Sequence, residues 1–205
     1  MSGDSFDDRA ATWDDDPEKR TRATAVADLI RQVTGPDPDA RVLEYGAGTG
    51  LLSEALVGHV GPITLADPSR GMRQVLADKV SAGIFPGATR IWDVDLSTAP
   101  PPAEEFDLVV SLMALHHIPD VPAVLRACVA LLAPGGRVCL SDLVAEDGSF
   151  HDSPDADVHH GFGTDALAEQ LRQAGLVSVD VRHAYDVIKD GRTYPLFLAT
   201  AVRPG

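Results

Sequence analysis

The chain has 205 residues, with 31 Asp and Glu against 17 Lys and Arg, so its formal net charge is −14. A protein with this charge repels phosphate backbones and anionic lipid surfaces, which argues against nucleic acid or a membrane as a partner. The hydrophobic fraction of 44% is ample for the core of one domain.

The N-terminal segment MSGDSFDDRAATWDDD is acidic and contains no apolar stretch, which is atypical of a secretory signal peptide. No apolar run reaches the roughly 18 residues that a membrane span needs, so the chain is expected in the cytoplasm. Cys128 stands in a helical pattern and Cys139 in a strand pattern. Both are expected to be buried thiols rather than disulfide partners or nucleophiles.

The first strongly predicted element is a helix that begins at Pro17. Asp16 is a typical N-cap, proline suits the first helical position, and Glu18 places an acid in the first turn. Apolar residues then recur at helical spacing until Gly35 ends the pattern. The acidic run that starts at Asp14 is interpreted as a solvated helix start.

Beyond residue 40, predicted strands alternate with predicted helices. The strand patterns cover residues 41–45, 63–67, 90–94, 106–111 and 137–142. The helical patterns between them cover about 51–57, 69–80 and 121–132. Such alternation is typical of a parallel sheet with helices on both faces. We expect one globular unit, in which residues 1–36 form a cap segment with its helix and residues 37–205 form the main domain.

The C-terminal part has a different pattern. A helix over 164–175 precedes strand patterns over 177–185 and 195–202, with a turn signal at Asp190-Gly191 between them. Strands joined by so short a connection pair antiparallel. The sequence therefore predicts an α/β fold with a doubly wound, Rossmann-like seven-stranded sheet. Five strands are parallel, and the last strand of a C-terminal hairpin inserts antiparallel.

The most informative stretch is VLEYGAGTG, residues 42–50, which ends the first strand with Glu44 and continues with glycines at alternate positions. A turn needs only one glycine, so the spacing indicates a ligand that lies against bare backbone at the carboxyl ends of the strands. The dinucleotide fingerprint G-x-G-x-x-G does not fit, because Leu51 stands where a small residue is needed. Asp67 ends the second strand and can accept hydrogen bonds from a ribose diol. A cationic nucleoside without phosphates, such as S-adenosylmethionine, fits this pattern.

Four motifs, in this order, resemble those of class I S-adenosylmethionine-dependent methyltransferases, of the small-molecule group that includes quinone-biosynthesis enzymes. They are VLEYGAGTG, ITLADPSRGM, DVDLSTAPPPAEEFDLVVSLMALHHIPD and LLAPGGRVCLSD, over about residues 40–142. FDDRAATWD and HHGFGTDALAEQLRQAGL extend the resemblance more weakly to both ends. The resemblance implies methyl transfer from S-adenosylmethionine to a small-molecule acceptor, with release of S-adenosylhomocysteine.

The resemblance also implies which residues hold the cofactor. Glu44 would bind the methionine amino group, Asp67 the ribose hydroxyls and Asp95 the adenine amino group, with Asp93 as the competing choice for adenine. The other implied cofactor-binding residues are Gly46, Ala47, Gly48, Gly50, Pro68, Met72, Leu96 and Met113. For the two methionines, ordinary core packing is an alternative interpretation.

Histidines follow the fourth strand and recur in the long segment after the fifth. His116 and His117 are candidate catalytic residues, which act as a base if the acceptor atom arrives protonated. His159, His160 and the cap residue Trp13 are candidate substrate contacts. Residues 147–163 are predicted to close over the methyl group, because water competes as an acceptor. The acidic residues of this segment are interpreted as solvated, and no metal site is predicted.

Two other functions remain open at this point. A complete cofactor motif beside a degenerate substrate pocket would indicate a non-catalytic S-adenosylmethionine-binding sensor or partner subunit. An NAD(P)-dependent oxidoreductase would use the same fold, but the glycine spacing opposes it.

Overall fold

Seven strands form the centre of the molecule, and the computed structural model describes residues 4–151 and 158–205. The strands are β1 (Val42–Tyr45), β2 (Ile63–Ala66), β3 (Arg90–Trp92), β4 (Phe106–Leu112), β5 (Leu132–Leu143), β6 (Val177–Lys189) and β7 (Arg192–Val202). Their order in the sheet is β3-β2-β1-β4-β5-β7-β6. The first five strands are parallel, and β7 lies antiparallel between β5 and β6. The predicted fold is therefore confirmed, including the inserted last strand.

Helices cover both faces of this sheet. They are α1 (Asp4–Asp7), α2 (Pro17–Thr34), α3 (Leu51–Leu56), α4 (Arg70–Ser81), α5 (Val121–Leu131) and α6 (Thr164–Gln173), with 3-10 turns η1 (Ala10–Asp15) and η2 (Leu115–His117). One apolar layer contains α5 and α6, and the other contains α2, α3 and part of α4. Along β4, Val109 packs in the first layer while Leu108 and Val110 pack in the second. This alternation buries the strand on both sides, as its continuous apolar run requires.

Four strand boundaries differ from the sequence prediction by two residues or more. The third strand ends at Trp92 rather than at residue 94. β5 begins at Leu132 instead of residue 137, because Leu132 already pairs with Phe106 of β4. The pairing is interrupted over Pro134-Gly135-Gly136 and resumes between Arg137 and Leu108. β6 and β7 run up to the predicted turn, where Asp190 and Gly191 both have positive φ, as a two-residue hairpin turn needs.

The cap segment before α2, of which the structure describes residues 4–15, packs on α4 and on the loop after β1. The Asp7 carboxylate accepts hydrogen bonds from Ser69 Oγ at 2.5 Å and from the Gly71 N–H at 2.8 Å. The Asp14 carboxylate accepts one from Thr49 Oγ1 at 2.5 Å and lies 2.6 Å from Lys79 Nζ. The interpretation of Asp14 as a solvated residue is therefore wrong, because Asp14 forms an ion pair with the buried Lys79 of α4.

The start of α2 follows the sequence prediction. Asp16 is its N-cap and accepts a hydrogen bond from the Glu18 N–H at 3.0 Å, and Gly35 ends the helix with a φ of 52°. In the part of the chain that the structure describes, no helix is both long and apolar enough to cross a lipid bilayer.

Gly71→Ala tests how the cap segment docks. A Cβ at position 71 would lie 2.7 Å from the Cα of Asp7 and 2.8 Å from its carbonyl oxygen. Alanine favours helix at this position, so α4 itself should be retained or stabilised by up to ~1 kcal/mol. We expect tryptic cleavage after Arg9 to become roughly tenfold faster, because the cap opens while the sheet remains folded.

Gly87→Ala is the matched control, since a Cβ there meets no atom within 4 Å. Equal cleavage rates in the two variants, with wild-type thermal midpoints, would show that the cap does not depend on the close approach at Gly71.

Candidate active site

A cavity of about 520 Å³ lies at the carboxyl ends of β1, β2 and β4, beneath the cap segment. Its lining includes these predicted site residues: Trp13, Glu44, Gly46, Ala47, Gly48, Asp67, Pro68, Met72, Asp95, Met113 and His117. Gly50, Leu96, His116, His159 and His160 were also predicted but do not line it. The structure therefore gathers the acids and most of the glycine loop (residues 46–50) in one cavity wall, and only His117 of the four predicted histidines lines it.

The three glycines after β1 serve different purposes. Gly46 has a φ of 67°, and a Cβ there would lie 2.4 Å from Ala114 Cβ. A Cβ at Gly50 would overlap Leu76 and Phe85, so this glycine permits core packing rather than ligand approach. Gly48 has a φ of 55° and no atom within 4 Å of the place where its Cβ would be. Only Gly48 thus leaves backbone open to the cavity.

Asp67 connects the glycine loop with the beginning of α4. Its Oδ2 accepts a hydrogen bond from the Gly48 N–H at 2.7 Å, and its Oδ1 accepts one from the Ser69 N–H at 2.8 Å. Burial raises the pKa of Asp67, and these two N–H groups act against that rise. Each carboxylate oxygen keeps a further lone pair, so the group can still accept hydrogen bonds from a ligand.

Glu44 is the most deeply buried acid of the cavity wall, with 2% of its surface exposed. Its Oε2 accepts a hydrogen bond from the Ser53 N–H at 3.0 Å. Burial raises the pKa of Glu44 to about 7, although the Ser53 N–H and the charge of Lys79 oppose the rise. A cationic ligand group beside Glu44 would favour its ionised form and offset the cost of burying the charge.

Asp95 and Asp93 are placed very differently. Asp95 lines the cavity, and its Oδ1 accepts hydrogen bonds from the Ser97 N–H at 2.9 Å, from Ser97 Oγ at 2.6 Å and from the Tyr45 hydroxyl at 3.3 Å. The Asp93 side chain is 71% exposed and pairs with Arg73 at 2.8 Å. Of the two acids that compete for adenine in the sequence, only Asp95 faces the cavity.

The two methionines of the lining come from different elements. Met72 is almost fully buried in α4. Met113 follows β4 with a φ of 54°, which is strained for a residue with a side chain, and its N–H donates to the Ser141 carbonyl at 2.8 Å. Leu96, by contrast, is buried in the apolar core.

Two basic residues of α2 also line the cavity and were missed by the sequence analysis. The Nε of Arg22 is buried without a hydrogen-bond partner, and burial lowers the pKa of this guanidinium. Lys19 Nζ lies 3.7 Å from the centre of the Trp13 ring and donates to the Trp13 carbonyl at 3.2 Å. Their spacing from buried Ala23 and Val26 places both cations on the apolar face of α2, which is the signal that could have revealed them.

His116 is buried and is hydrogen-bonded to Asp142. Its Nδ1 lies 2.6 Å from Asp142 Oδ1, and its N–H donates to Asp142 Oδ2 at 3.2 Å. Although burial acts in the opposite direction, the adjacent His116 and nearby N–H groups lower the pKa of Asp142. This contact fixes the η2 turn on the end of β5.

His117 is the histidine that reaches the cavity. Its ring lies 4.0 Å from that of His116 and makes an edge contact with Phe6 at 5.1 Å. Its Nδ1 is buried without a hydrogen-bond partner. Burial, together with the neighbouring His116 and His151, lowers the pKa of His117 to about 3. The ring is therefore neutral near pH 7 and is a weak base.

The segment after β5 supports the η2 turn rather than the cavity wall. The His159 N–H donates to the His116 carbonyl at 2.8 Å, and its Nε2 lies 2.9 Å from the Ile118 carbonyl. His160 is exposed, and its carbonyl accepts from the Glu146 N–H at 2.9 Å. Of the predicted lid over 147–163, residues 152–157 lie outside the described residues. Among the residues that the structure does describe, no three His, Cys, Asp or Glu side chains come together to hold a metal ion.

Comparison with known proteins gives a consistent result. Residues 19–181 match a family model described as a methyltransferase domain. An uncharacterized methyltransferase of Schizosaccharomyces pombe is 30% identical over 154 residues, which are 68% of this chain and 54% of that protein. A ubiquinone biosynthesis O-methyltransferase of Bordetella avium is 30% identical over 152 residues, 72% of this chain and 62% of that protein. The chain spans about half to three-fifths of the length of these two relatives.

A solved structure extends the comparison to the fold of nearly the whole chain. The N-methyltransferase NodS of Bradyrhizobium japonicum, in complex with S-adenosyl-L-homocysteine, aligns with a TM-score of 0.74. The alignment covers 98% of both chains at 21% identity.

The raised pKa of Glu44 predicts a pH-dependent stability. The folded protein binds a proton at Glu44 up to about pH 7, whereas a free glutamate has a pKa of 4.5. The folded state therefore holds more protons between these values, and its free energy of unfolding should fall by up to ~3 kcal/mol as pH rises from 4.5 to 7. Glu44→Gln, measured by urea unfolding without ligand, should remove this part of the pH dependence.

The exposed carboxylate Glu169, changed to glutamine, is the control and should leave the pH profile as it is in the wild type. The same slope in wild type and Glu44→Gln would mean that Glu44 is ionised throughout this range.

Proposed function

Because the chain belongs to the methyltransferase domain family, we propose that it binds S-adenosylmethionine in this cavity and methylates a small-molecule acceptor, releasing S-adenosylhomocysteine. The observation that carries the proposal is the combination of open backbone at Gly48 with the three acids Glu44, Asp67 and Asp95. These acids would repel the diphosphate of a nicotinamide dinucleotide. They suit a nucleoside with a cationic tail.

The residues of the cavity fit the cofactor group by group. Asp67 accepts hydrogen bonds from the ribose diol, and Asp95 accepts one from the adenine amino group. Glu44 holds the methionine ammonium, whose charge offsets the burial of the carboxylate. Arg22 holds the methionine carboxylate, because its buried Nε lacks a hydrogen-bond partner in the protein. The open backbone at Gly48 would leave room for the amino-acid tail.

The acceptor lies at the β4 end of the cavity, beside Met113 and His117. The bound cofactor supplies an electrophilic methyl carbon on a positively charged sulfur. The protein contributes placement and the exclusion of water, since Phe6 and Trp13 of the cap segment line this end. A histidine with a pKa of about 3 is a weak base. We therefore assign His117 to orienting the acceptor through a hydrogen bond, and the His116–Asp142 pair to holding His117 in place.

The relatives support this proposal through their names. The Bordetella avium protein is called a ubiquinone biosynthesis O-methyltransferase, and the Bradyrhizobium japonicum structure holds S-adenosyl-L-homocysteine. Both names describe methyl transfer, and the quinone-biosynthesis relatives agree with the sequence resemblance.

Calorimetric titration tests the cofactor assignment. S-Adenosylmethionine and S-adenosylhomocysteine should bind with micromolar affinity, and NADH and NADPH negligibly. Asp67→Ala removes charge-assisted hydrogen bonds to the ribose, each worth ~1.5–3 kcal/mol, so affinity should fall at least ~10-fold. Asp28→Ala, on the exposed face of α2, should change it less than ~2-fold.

The reverse order of affinities, with NADH above S-adenosylhomocysteine, would refute the proposed function. Unchanged affinity in a folded Asp67→Ala protein would refute only the assignment of the ribose.

Arg22→Met tests whether Arg22 binds the amino-acid tail of the cofactor rather than its nucleoside. The variant should bind S-adenosylhomocysteine at least ~10-fold more weakly, because a buried guanidinium–carboxylate contact is lost. It should bind 5′-methylthioadenosine, which has the nucleoside but lacks the amino-acid tail, as the wild type does. Arg31→Met, near the end of the same helix and remote from the cavity lining, is the control. Equal losses for both ligands would show that Arg22 supports the fold of the site rather than the carboxylate.

A further inference from the structure

The charges of the cavity wall do not all find a partner on the cofactor. The wall carries three acids and two cations, Lys19 and Arg22. S-Adenosylmethionine has only one anionic group, its carboxylate, and under the proposed function Arg22 takes it. Lys19, the second cation, therefore has no anionic partner on the cofactor.

Lys19 has hydrogen-bonding capacity to spare. Its ammonium group has three N–H donors, of which one is used by the Trp13 carbonyl at 3.2 Å. It forms no ion pair with any residue in the described ranges 4–151 and 158–205. Burial lowers the pKa of Lys19, although nearby Asp16 acts against this. Burying part of a cation that has no carboxylate at ion-pair distance is costly, and an anionic ligand would relieve that cost.

The neighbours of Lys19 form a continuous aromatic surface that leads to the acceptor end of the cavity. The lysine lies over the Trp13 ring at 3.7 Å, Trp13 meets Phe6 at 6.0 Å, and Phe6 meets His117 at 5.1 Å. All four residues line the cavity. Arg9 packs against the same two rings but is not part of the lining. We call Phe6, Trp13 and His117 the aromatic wall.

From this arrangement we infer the chemical class of the acceptor, an inference that rests on the proposed function. We propose that the methyl acceptor is a planar aromatic compound that carries a carboxylate. Its ring packs on the aromatic wall and its carboxylate pairs with Lys19. Aromatic rings favour offset or edge contacts with such a wall, and a charge-assisted hydrogen bond at one end fixes the orientation of the ring.

The test uses protein saturated with S-adenosylhomocysteine, so that binding is measured without any methyl transfer. Hydroxybenzoates and aminobenzoates are titrated in parallel with their primary amides, which keep the ring but lose the charge. Wild-type protein should bind at least one acid ~10-fold or more tightly than its amide. Lys19→Met should abolish this preference, and Lys19→Arg should retain it within a few-fold.

Two controls accompany the variants. Affinity for S-adenosylhomocysteine should stay within ~2-fold in Lys19→Met. Arg126→Met, which removes an exposed cation from α5 away from the cavity, should keep the preference for the acid.

Three results would overturn the inference. The first is equal affinity for the acids and their amides, and the second is that none of the acids binds. The third is weaker binding of S-adenosylhomocysteine to Lys19→Met, which would assign Lys19 to the cofactor carboxylate together with Arg22. Failure of the proposed function is a separate outcome, because it appears in the first titration as absence of S-adenosylhomocysteine binding to the wild type.

Discussion

The Asp67 carboxylate is the contact on which the rest of the site depends. One oxygen accepts the Gly48 N–H of the glycine loop, and the other accepts the Ser69 N–H at the start of α4. Ser69 in turn donates its hydroxyl to Asp7, which brings the cap segment over the cavity. One side chain at the end of β2 thus connects the open backbone, a helix terminus and the cover of the site. The parallel sheet makes this possible, because the carboxyl ends of its strands meet at one edge.

The cavity wall holds charges whose burial is costly until a ligand compensates them. Burial raises the pKa of Glu44 and Asp67 and lowers the pKa of Arg22 and Lys19. Both directions have the same cause, since a low-dielectric surrounding disfavours the charged form of acids and bases alike. Groups of opposite sign on a zwitterionic ligand would relieve several of these costs at once. Buried charges of this kind are common at binding and catalytic sites, where stability is given up for function.

The β4 end of the cavity, where we propose that the acceptor binds, is ordered by residues that do not line it. Asp142 holds His116 from β5, and His159 holds the same turn from the following segment. The His117 ring therefore packs against His116 and lines the cavity, and burial lowers its pKa. The four histidines predicted from the sequence therefore differ in their contacts. His116 pairs with Asp142, His159 holds the η2 turn, His160 is exposed and His117 lines the cavity.

The sequence alone determined the five parallel strands, the antiparallel insertion of the last strand, the place of the cavity at the carboxyl ends of the strands and the acids at its edge. Strand-helix alternation has few topological solutions, and Glu44 and Asp67 follow strands whose ends must converge. It favoured Asp95 over Asp93 only through the family resemblance, and it could not decide which histidine lines the cavity, because side-chain direction just beyond a strand depends on the local turn. It also missed Lys19 and Arg22, which belong to a helix far from the motifs in the chain. Only tertiary packing places the apolar face of that helix against the cavity, and with it the two cations.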